Sequence, residues 1–260
     1  MLTPTQTEWF LKQYRSAPCH TLPNAYWKTM NPSAELRLEY SEDNDLALDK
    51  MAVWQGDRLL AFRCADPDAL TLTDRQCNAP LALVHGDALP TFESLTYHHK
   101  EAYFRLIHKG SPPGYNCPPG FVLADVDPGV EIQAVAALIR ACYSDMQIDM
   151  DTVLSWLEHP VYDPTLWVWA MDIEQGTPAG LGIAELDEGV PEASLEWIQV
   201  LPSYRGRGLG RAIVAELLRR VSNRVAFTTV SGRVDNATHP ERLYRQCGFT
   251  GSDVWWLLVR

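Results

Sequence analysis

The stretch Leu195-Glu-Trp-Ile-Gln-Val-Leu-Pro-Ser-Tyr-Arg-Gly-Arg-Gly-Leu-Gly-Arg211 joins an apolar strand, a proline, a basic glycine loop and the start of a helix. Gly206, Gly208 and Gly210 permit positive φ and leave bare amides open to a ligand. Those amides stand at a helix start, where unsatisfied N–H groups and the helix dipole favour an anion. Arg205, Arg207 and Arg211 add positive charge in a chain whose formal net charge is -11, as a pyrophosphate requires. A phosphate-bearing ligand is the expectation. A tight turn before an ordinary helix is the plainer alternative.

The loop's departures narrow the ligand. A Walker loop needs Gly-Lys followed by Ser or Thr, but Arg211 and Ala212 follow Gly210, so both the lysine and the magnesium-binding hydroxyl are missing. With Gly206 and Gly208 opening a dinucleotide fingerprint, the third glycine would fall at position 211, which is arginine.

Outward from the loop, Leu209 to Val221 predicts a helix with Leu209, Ile213, Leu217 and Val221 on one face. Upstream, Phe121 to Val126 predicts a strand and Glu131 to Tyr143 a helix. A short helix is expected from near Asp151, as a capping residue, to before Pro160. Leu166 to Met171, Leu181 to Leu186 and Ser194 to Leu201 read as strands. Downstream follow a strand Val225 to Val230, a short helix Glu241 to Gln246 closed by Gly248, and a strand Val254 to Val259. The order is β-α-α-β-β-β-α-β-α-β.

The segment Ser111-Pro-Pro-Gly-Tyr-Asn-Cys-Pro-Pro-Gly120 sustains neither helix nor central strand. It sets the expected boundary, with domains 1–117 and 118–260. The amino-terminal part shows short apolar runs, Met51 to Trp54, Arg58 to Phe62 and Leu81 to Val84, between turn-rich pieces, and reads as a smaller α+β domain. Periodicity leaves Thr96 to His108 as either helix or strand.

At 260 residues, with 46% hydrophobic and 21% charged, the chain has the composition of a folded protein of about two domains. Its negative charge works against nucleic acid and anionic membranes as partners. No apolar run approaches the ~18–20 residues of a membrane span. Met1 to Arg15 lacks the pattern of a secretion signal, so a cytoplasmic protein is expected. The six cysteines are scattered without a Cys-x-x-Cys pair, and adjacent His98 and His99 form no His-Glu-x-x-His, so no metal is expected. Cys247 reads as a packed thiol, and a Gly-x-Ser-x-Gly elbow is absent.

The glycine loop resembles motif A of the GNAT superfamily of N-acetyltransferases, whose arginine, glycine and glycine are matched by Arg205, Gly208 and Gly210. The stretch Asp235-Asn-Ala-Thr-His-Pro-Glu-Arg-Leu-Tyr-Arg-Gln-Cys-Gly-Phe249 resembles motif B. Together the motifs cover about Phe121 to Arg260. The resemblance implies a mixed α+β fold whose splayed sheet is flanked by helices. It also implies acetyl-CoA as cosubstrate, its pyrophosphate on the amides of Arg205, Gly206, Arg207, Gly208, Leu209, Gly210 and Arg211, and its pantetheine arm along Ile198, Gln199 and Val200.

By position in the family pattern, Tyr244 is the acid that protonates the departing thiolate. A phenol near pKa ~10 is a reasonable donor to a thiolate near ~8.5. Glu196 is the candidate base, with Glu185 in reserve. The family asparagine stands seven residues before the tyrosine, whereas Asn236 stands eight before Tyr244; it is assigned to the cofactor on condition that the turn Thr238 to Pro240 absorbs the extra residue. Bland alternatives are a core tyrosine and an outward-facing strand glutamate.

The expected function is transfer of an acetyl group to an amine, with a small-molecule amine or a protein amino group as acceptor, by a monomer or homodimer. A non-catalytic acyl-CoA sensor is the competing reading. The amino-terminal half is read as a possible degenerate copy that lacks a second glycine loop and helps shape the acceptor cleft.

Overall fold

The computed structural model describes residues 3–31, 35–42, 48–66, 68, 70–143 and 146–260. The chain forms α1 (Pro4–Ser16), α2 (Pro18–Thr21), α3 (Tyr26–Thr29), β1 (Leu36–Glu42), β2 (Leu48–Gln55), β3 (Arg58–Cys64), α4 (Asp74–Cys77), β4 (Leu81–His85), α5 (Leu89–Glu93) and β5 (His99–His108). It continues through β6 (Phe121–Asp125), α6 (Ile132–Cys142), α7 (Met150–Trp156), β7 (Trp167–Asp172), β8 (Thr177–Asp187), β9 (Glu192–Val200), α8 (Leu209–Val221), β10 (Phe227–Arg233), α9 (Pro240–Gln246) and β11 (Thr250–Val259). This is a mixed α+β fold. No helix among the described residues is long and apolar enough to cross a membrane.

Two compact units are present, and neither is one continuous piece of chain. Unit one is Met1–Ile107, Ser231–Glu241 and Gly251–Arg260, and unit two is His108–Val230 and Arg242–Thr250. The units therefore do not coincide with a single cut at 117/118. Residues 108–117 belong to unit two, and the last strand returns to unit one because it pairs with β4 there.

Unit one orders its strands β1-β2-β3-β4-β11-β5. β2 and β3 form a hairpin whose tight turn uses Gly56 at φ 59. Trp54, Leu59, Phe62, Val84, Phe92 and Leu258 make its core. The ambiguous Thr96 to His108 segment is strand β5, because β11, far along the chain, supplies its ladder partner.

Unit two orders its strands β10-β9-β8-β7-β6, antiparallel except for the parallel pair β9 and β10. α8 buries the expected face, Leu209, Ile213, Leu217 and Val221, together with the alanines beside it. It lies so close to β8 that a β-carbon on Gly182 would collide with Ile213 and come within 3.1 Å of Leu217. α6 packs Val135, Ala136 and Ile139 against Trp167, Trp169 and Leu181. α7 begins two residues earlier than expected. Its cap is Asp149, whose carboxylate accepts from the Thr152 amide at 2.8 Å, and Asp151 sits in the first turn.

Candidate functional site

The β9 edge is opened by two features of its pairing. Parallel pairing with β10 runs only from Glu192↔Phe227 to Leu195↔Val230, so the second half of β9 runs on without that partner. On its other side β9 stays paired with β8 to Val200, except that Trp197 faces Ile183 while Leu195 faces Ala184. Glu196 is therefore the extra residue of a bulge. A bulge re-aims side chains and increases local twist, which is how two parallel strands come to part in mid-sheet.

Beyond Val200 the chain makes a 3-10 turn, Pro202–Tyr204, then crosses Gly206 at φ 78 and Gly208 at φ 86 before entering α8. Gly208 is the N-cap and no side-chain cap reaches this helix start. The first-turn amides of Leu209, Gly210 and Arg211 thus lack the usual oxygen acceptor. Gly210 needs correction. It is helical, not a positive-φ turn residue, and its lack of a side chain serves close packing instead: a β-carbon there would meet Leu243 at 3.0 Å.

The three arginines differ in setting. Arg205 donates from Nε to the Val200 carbonyl at 3.2 Å, and Arg207 from its guanidinium to the Ser203 carbonyl at 3.4 Å while lying over the Tyr204 ring. Both are exposed and can exchange these weak contacts for an anion. Arg211 lies over the ring of Tyr115, 4.8 Å from its centroid, with a buried Nε that has no hydrogen-bond partner. The Tyr115 hydroxyl in turn sits where a β-carbon of Gly208 would be. The proline-rich segment is thus packed on the glycine loop. Sequence reading missed Tyr115, since nothing about an aromatic among prolines says what it touches.

Tyr244 is buried, with its ring edge-on to Phe249 at 5.7 Å. Its carbonyl accepts from the Cys247 and Phe249 amides, and Gly248, at φ 91, donates to the Arg245 carbonyl. This Schellman closure fixes the end of α9. Burial raises the phenol above its ordinary pKa, reinforced by Tyr143, Cys247 and Glu196. Glu196 is half-buried and accepts from the Ser194 hydroxyl at 2.6 Å. The electrostatic link between Tyr244 and Glu196 brings the expected acid and base into one neighbourhood.

Glu185 is buried on β8, directly across from Ser194, with His159 at 3.5 Å. Gln199 is buried and donates to the Tyr143 hydroxyl at 3.1 Å, so only its backbone faces outward duties. Ile198 and Val200 are half-buried, whereas the Leu209 side chain is core and only its amide bears on the loop. Asn236 belongs to unit one, and its side-chain oxygen accepts from the Thr238 amide and hydroxyl at 2.9 and 2.7 Å. The turn is completed by His239 at φ 48. Beside β9, Trp197 stacks on Trp156 at 5.2 Å and meets Tyr143 edge-on, giving a partly exposed aromatic wall.

The profile of the acetyltransferase (GNAT) family matches residues 132–249. Among solved structures, a GCN5-related N-acetyltransferase from Sphaerobacter thermophilus superposes with a TM-score of 0.62 at 18% identity, over 84% of this chain and 82% of the other. An acetyltransferase from the GNAT family of Colwellia psychrerythraea gives 0.64 at 13% identity, over 99% and 97%. A tandem GNAT protein from the clavulanic acid biosynthesis pathway gives 0.54 at 14% identity, over 99% and 96%. At such identities the likeness is one of fold.

Proposed function

The chain carries a GNAT acetyltransferase domain over residues 132–249, and on that premise we propose that it moves an acetyl group from acetyl-CoA to a primary amine by direct attack. The observation that carries this reading is the juxtaposition of an uncapped α8 start with a β9 edge released from β10 after Leu195. The first suits a diphosphate and the second an amide-bearing arm.

In this reading the donor supplies the acyl group already activated as a thioester. The amides of Leu209, Gly210 and Arg211 hold its diphosphate, with Arg205 and Arg207 free to swing onto it. Glu196 takes a proton from the acceptor ammonium, with Glu185 as the alternative base. The amine nitrogen bonds to the carbonyl carbon while a backbone N–H of Ile198 or Val200 receives the developing oxyanion. The carbon–sulfur bond then breaks, Tyr244 gives its proton to the sulfur, and the second proton that the nitrogen sheds as the amide forms returns the phenolate to phenol. The coupling between the two groups supports the order of events. A charged Glu196 helps keep the phenol protonated. Once Glu196 has accepted the amine proton that charge is gone, and Tyr244 becomes a stronger acid at the step where it must donate.

Unit one is read as a degenerate copy of the same fold that binds no CoA. The whole-length likeness to a tandem GNAT protein supports this, as does the absence of a second glycine loop from its sequence. The cysteines, all free thiols, support a reducing, cytoplasmic setting.

The test is a screen of small amines, amino acids, polyamines and peptide amino groups with acetyl-CoA, following thiol release, beside calorimetric titration of CoA. Turnover with at least one acceptor class is expected. CoA binding without turnover for any class would favour the sensor reading, and no CoA binding would remove both.

A further inference from the structure

Unit one holds a cluster of titratable side chains that the reaction above does not use. His20 lies on α2, His85 ends β4, Asp253 is on β11, and Asp87 follows His85 in a short 3-10 turn. Nδ1 of His20 and Nε2 of His85 lie 3.0 and 3.1 Å from the same oxygen, Oδ1 of Asp253. One donor atom from each of the three residues lies within 4.8 Å of the others. The two imidazoles meet edge to face with centroids 4.4 Å apart. Bonds of ~2.0–2.2 Å at tetrahedral angles place neighbouring ligand atoms roughly 3.3–3.6 Å apart. The two nitrogen–oxygen separations need to open by only a few tenths of an ångström, and the two nitrogens lie within 4.8 Å of each other.

We propose that His20, His85 and Asp253 form a binding site for a zinc-class divalent ion, completed by water on the side where His20 is partly exposed. Two imidazoles and one carboxylate suit zinc better than magnesium or calcium, which prefer all-oxygen sites. Asp87 has the outer role. Its amide donates to Nδ1 of His85 at 3.3 Å, and its carboxylate lies 3.2 Å from the same nitrogen. The neutral His85 ring therefore keeps its proton on Nε2, facing Asp253. When Nε2 ligates, that proton moves to Nδ1 and is donated to the Asp87 carboxylate, so the tautomer changes and no proton is lost from the ring. A carboxylate behind a ligating histidine orients the ring and raises its basicity.

The local charge is compatible. Burial disfavours the Arg63 charge, and Asp87 and Asp253 are among the carboxylates that offset this. With Asp49 also acting on Arg63, carboxylates outnumber the guanidinium around the cluster, leaving negative charge for the dication to meet. The three ligands come from α2, β4 and β11, so the ion ties α2 to the final strand. The Trp255 indole, which donates to the Cys19 carbonyl at 2.8 Å, makes the same connection without metal.

The full chain is stripped with chelator, titrated with zinc chloride by calorimetry, and then loaded with cobalt(II) for visible spectroscopy. We expect one ion per chain, a rise in Tm on loading, and the strong d–d bands of four-coordinate cobalt without thiolate charge transfer. His85→Ala and Asp253→Asn should abolish these signals. His20→Gln, on a more exposed ligand that leaves the fold intact, should weaken zinc by more than about ten-fold and erase the Tm rise, and Asp87→Asn should weaken it by about ten-fold. Absence of saturable binding to the wild-type chain at about 100 µM zinc overturns the proposal. So does zinc binding unchanged in a folded His20→Gln chain, which would move the ion to the cysteines.

Discussion

The hydroxyl of Tyr115 fills the space that a β-carbon on Gly208 would occupy. This contact joins the proline-rich segment to the start of α8 and separates two glycines that look alike in sequence. Gly206 and Gly208 both have positive φ, 78 and 86, but only Gly208 has a neighbour in the way.

Gly206→Ala should carry only backbone strain, on the order of 1–2 kcal/mol, and weaken CoA several-fold. Gly208→Ala adds the collision and should weaken CoA at least a further ten-fold in calorimetry. Tyr115→Ala in the Gly208→Ala background should recover that extra loss. Equal losses at the two glycines would mean that Tyr115 has no bearing on the loop.

Tyr244→Phe should lower kcat by roughly 10²-fold or more, the usual scale for a lost general acid, with CoA affinity within about two-fold of wild type. Glu196→Gln should lower kcat similarly and flatten the acidic limb of its pH profile, because the base acts only when ionised. The Tyr244 phenol is raised by burial above its unfolded value near ~10. It therefore contributes stability that is complete below pH ~10 and is lost as pH climbs beyond. Denaturation of Tyr244→Phe should accordingly be less alkali-sensitive than wild type; parallel alkaline curves would contradict the buried-phenol account.

Gly182→Ala should destabilise the protein because its new methyl meets Ile213 on α8. Overpacking of this kind costs about 1–3 kcal/mol, or roughly 2–4 °C of Tm per kcal/mol in a domain of this size. Ile213→Val on that background should return part of the loss in a thermal melt. A Gly182→Ala chain as stable as wild type would show that α8 can lift from β8 freely.

Cys247 is buried, and burial pushes its thiol up to about 11 despite the opposing charge of Arg211. It should resist iodoacetamide at pH 8 in the folded chain, where the thiolate fraction is small. Since its folded value exceeds the unfolded ~8.5, it stabilises the fold below that pH and ceases to do so toward pH 11. Cys247→Ala should keep kcat within a few-fold. Rapid alkylation that tracks loss of turnover would make it a nucleophile instead.

Much of unit two was legible because its signals are local. Leu209 to Val221 folds as the 3.6-residue pattern says, and the Tyr244 helix closes at Gly248 because a left-handed residue there costs glycine little. The turn ahead of α8 also falls where the glycines place it, with Gly206 and Gly208 at positive φ. Legibility failed where the same residue type serves different ends. Gly206, Gly208 and Gly210 read alike, yet two answer to φ and one to the Leu243 side chain. Asp151 and Asp149 are equally good caps, and the helix starts after the earlier one.

The chain's own sequence marked most elements of unit two and the GNAT-family resemblance of residues 132–249, since these rest on short-range spacings. Tertiary structure alone decided that β5 is a strand, that Tyr115 meets the glycine loop, and that His20, His85 and Asp253 converge. The physical reason is that a ladder partner, a collision or a shared carboxylate depends on distances between segments far apart in the chain. Those distances are set by packing the whole sheet and leave no periodic mark on the residues that meet.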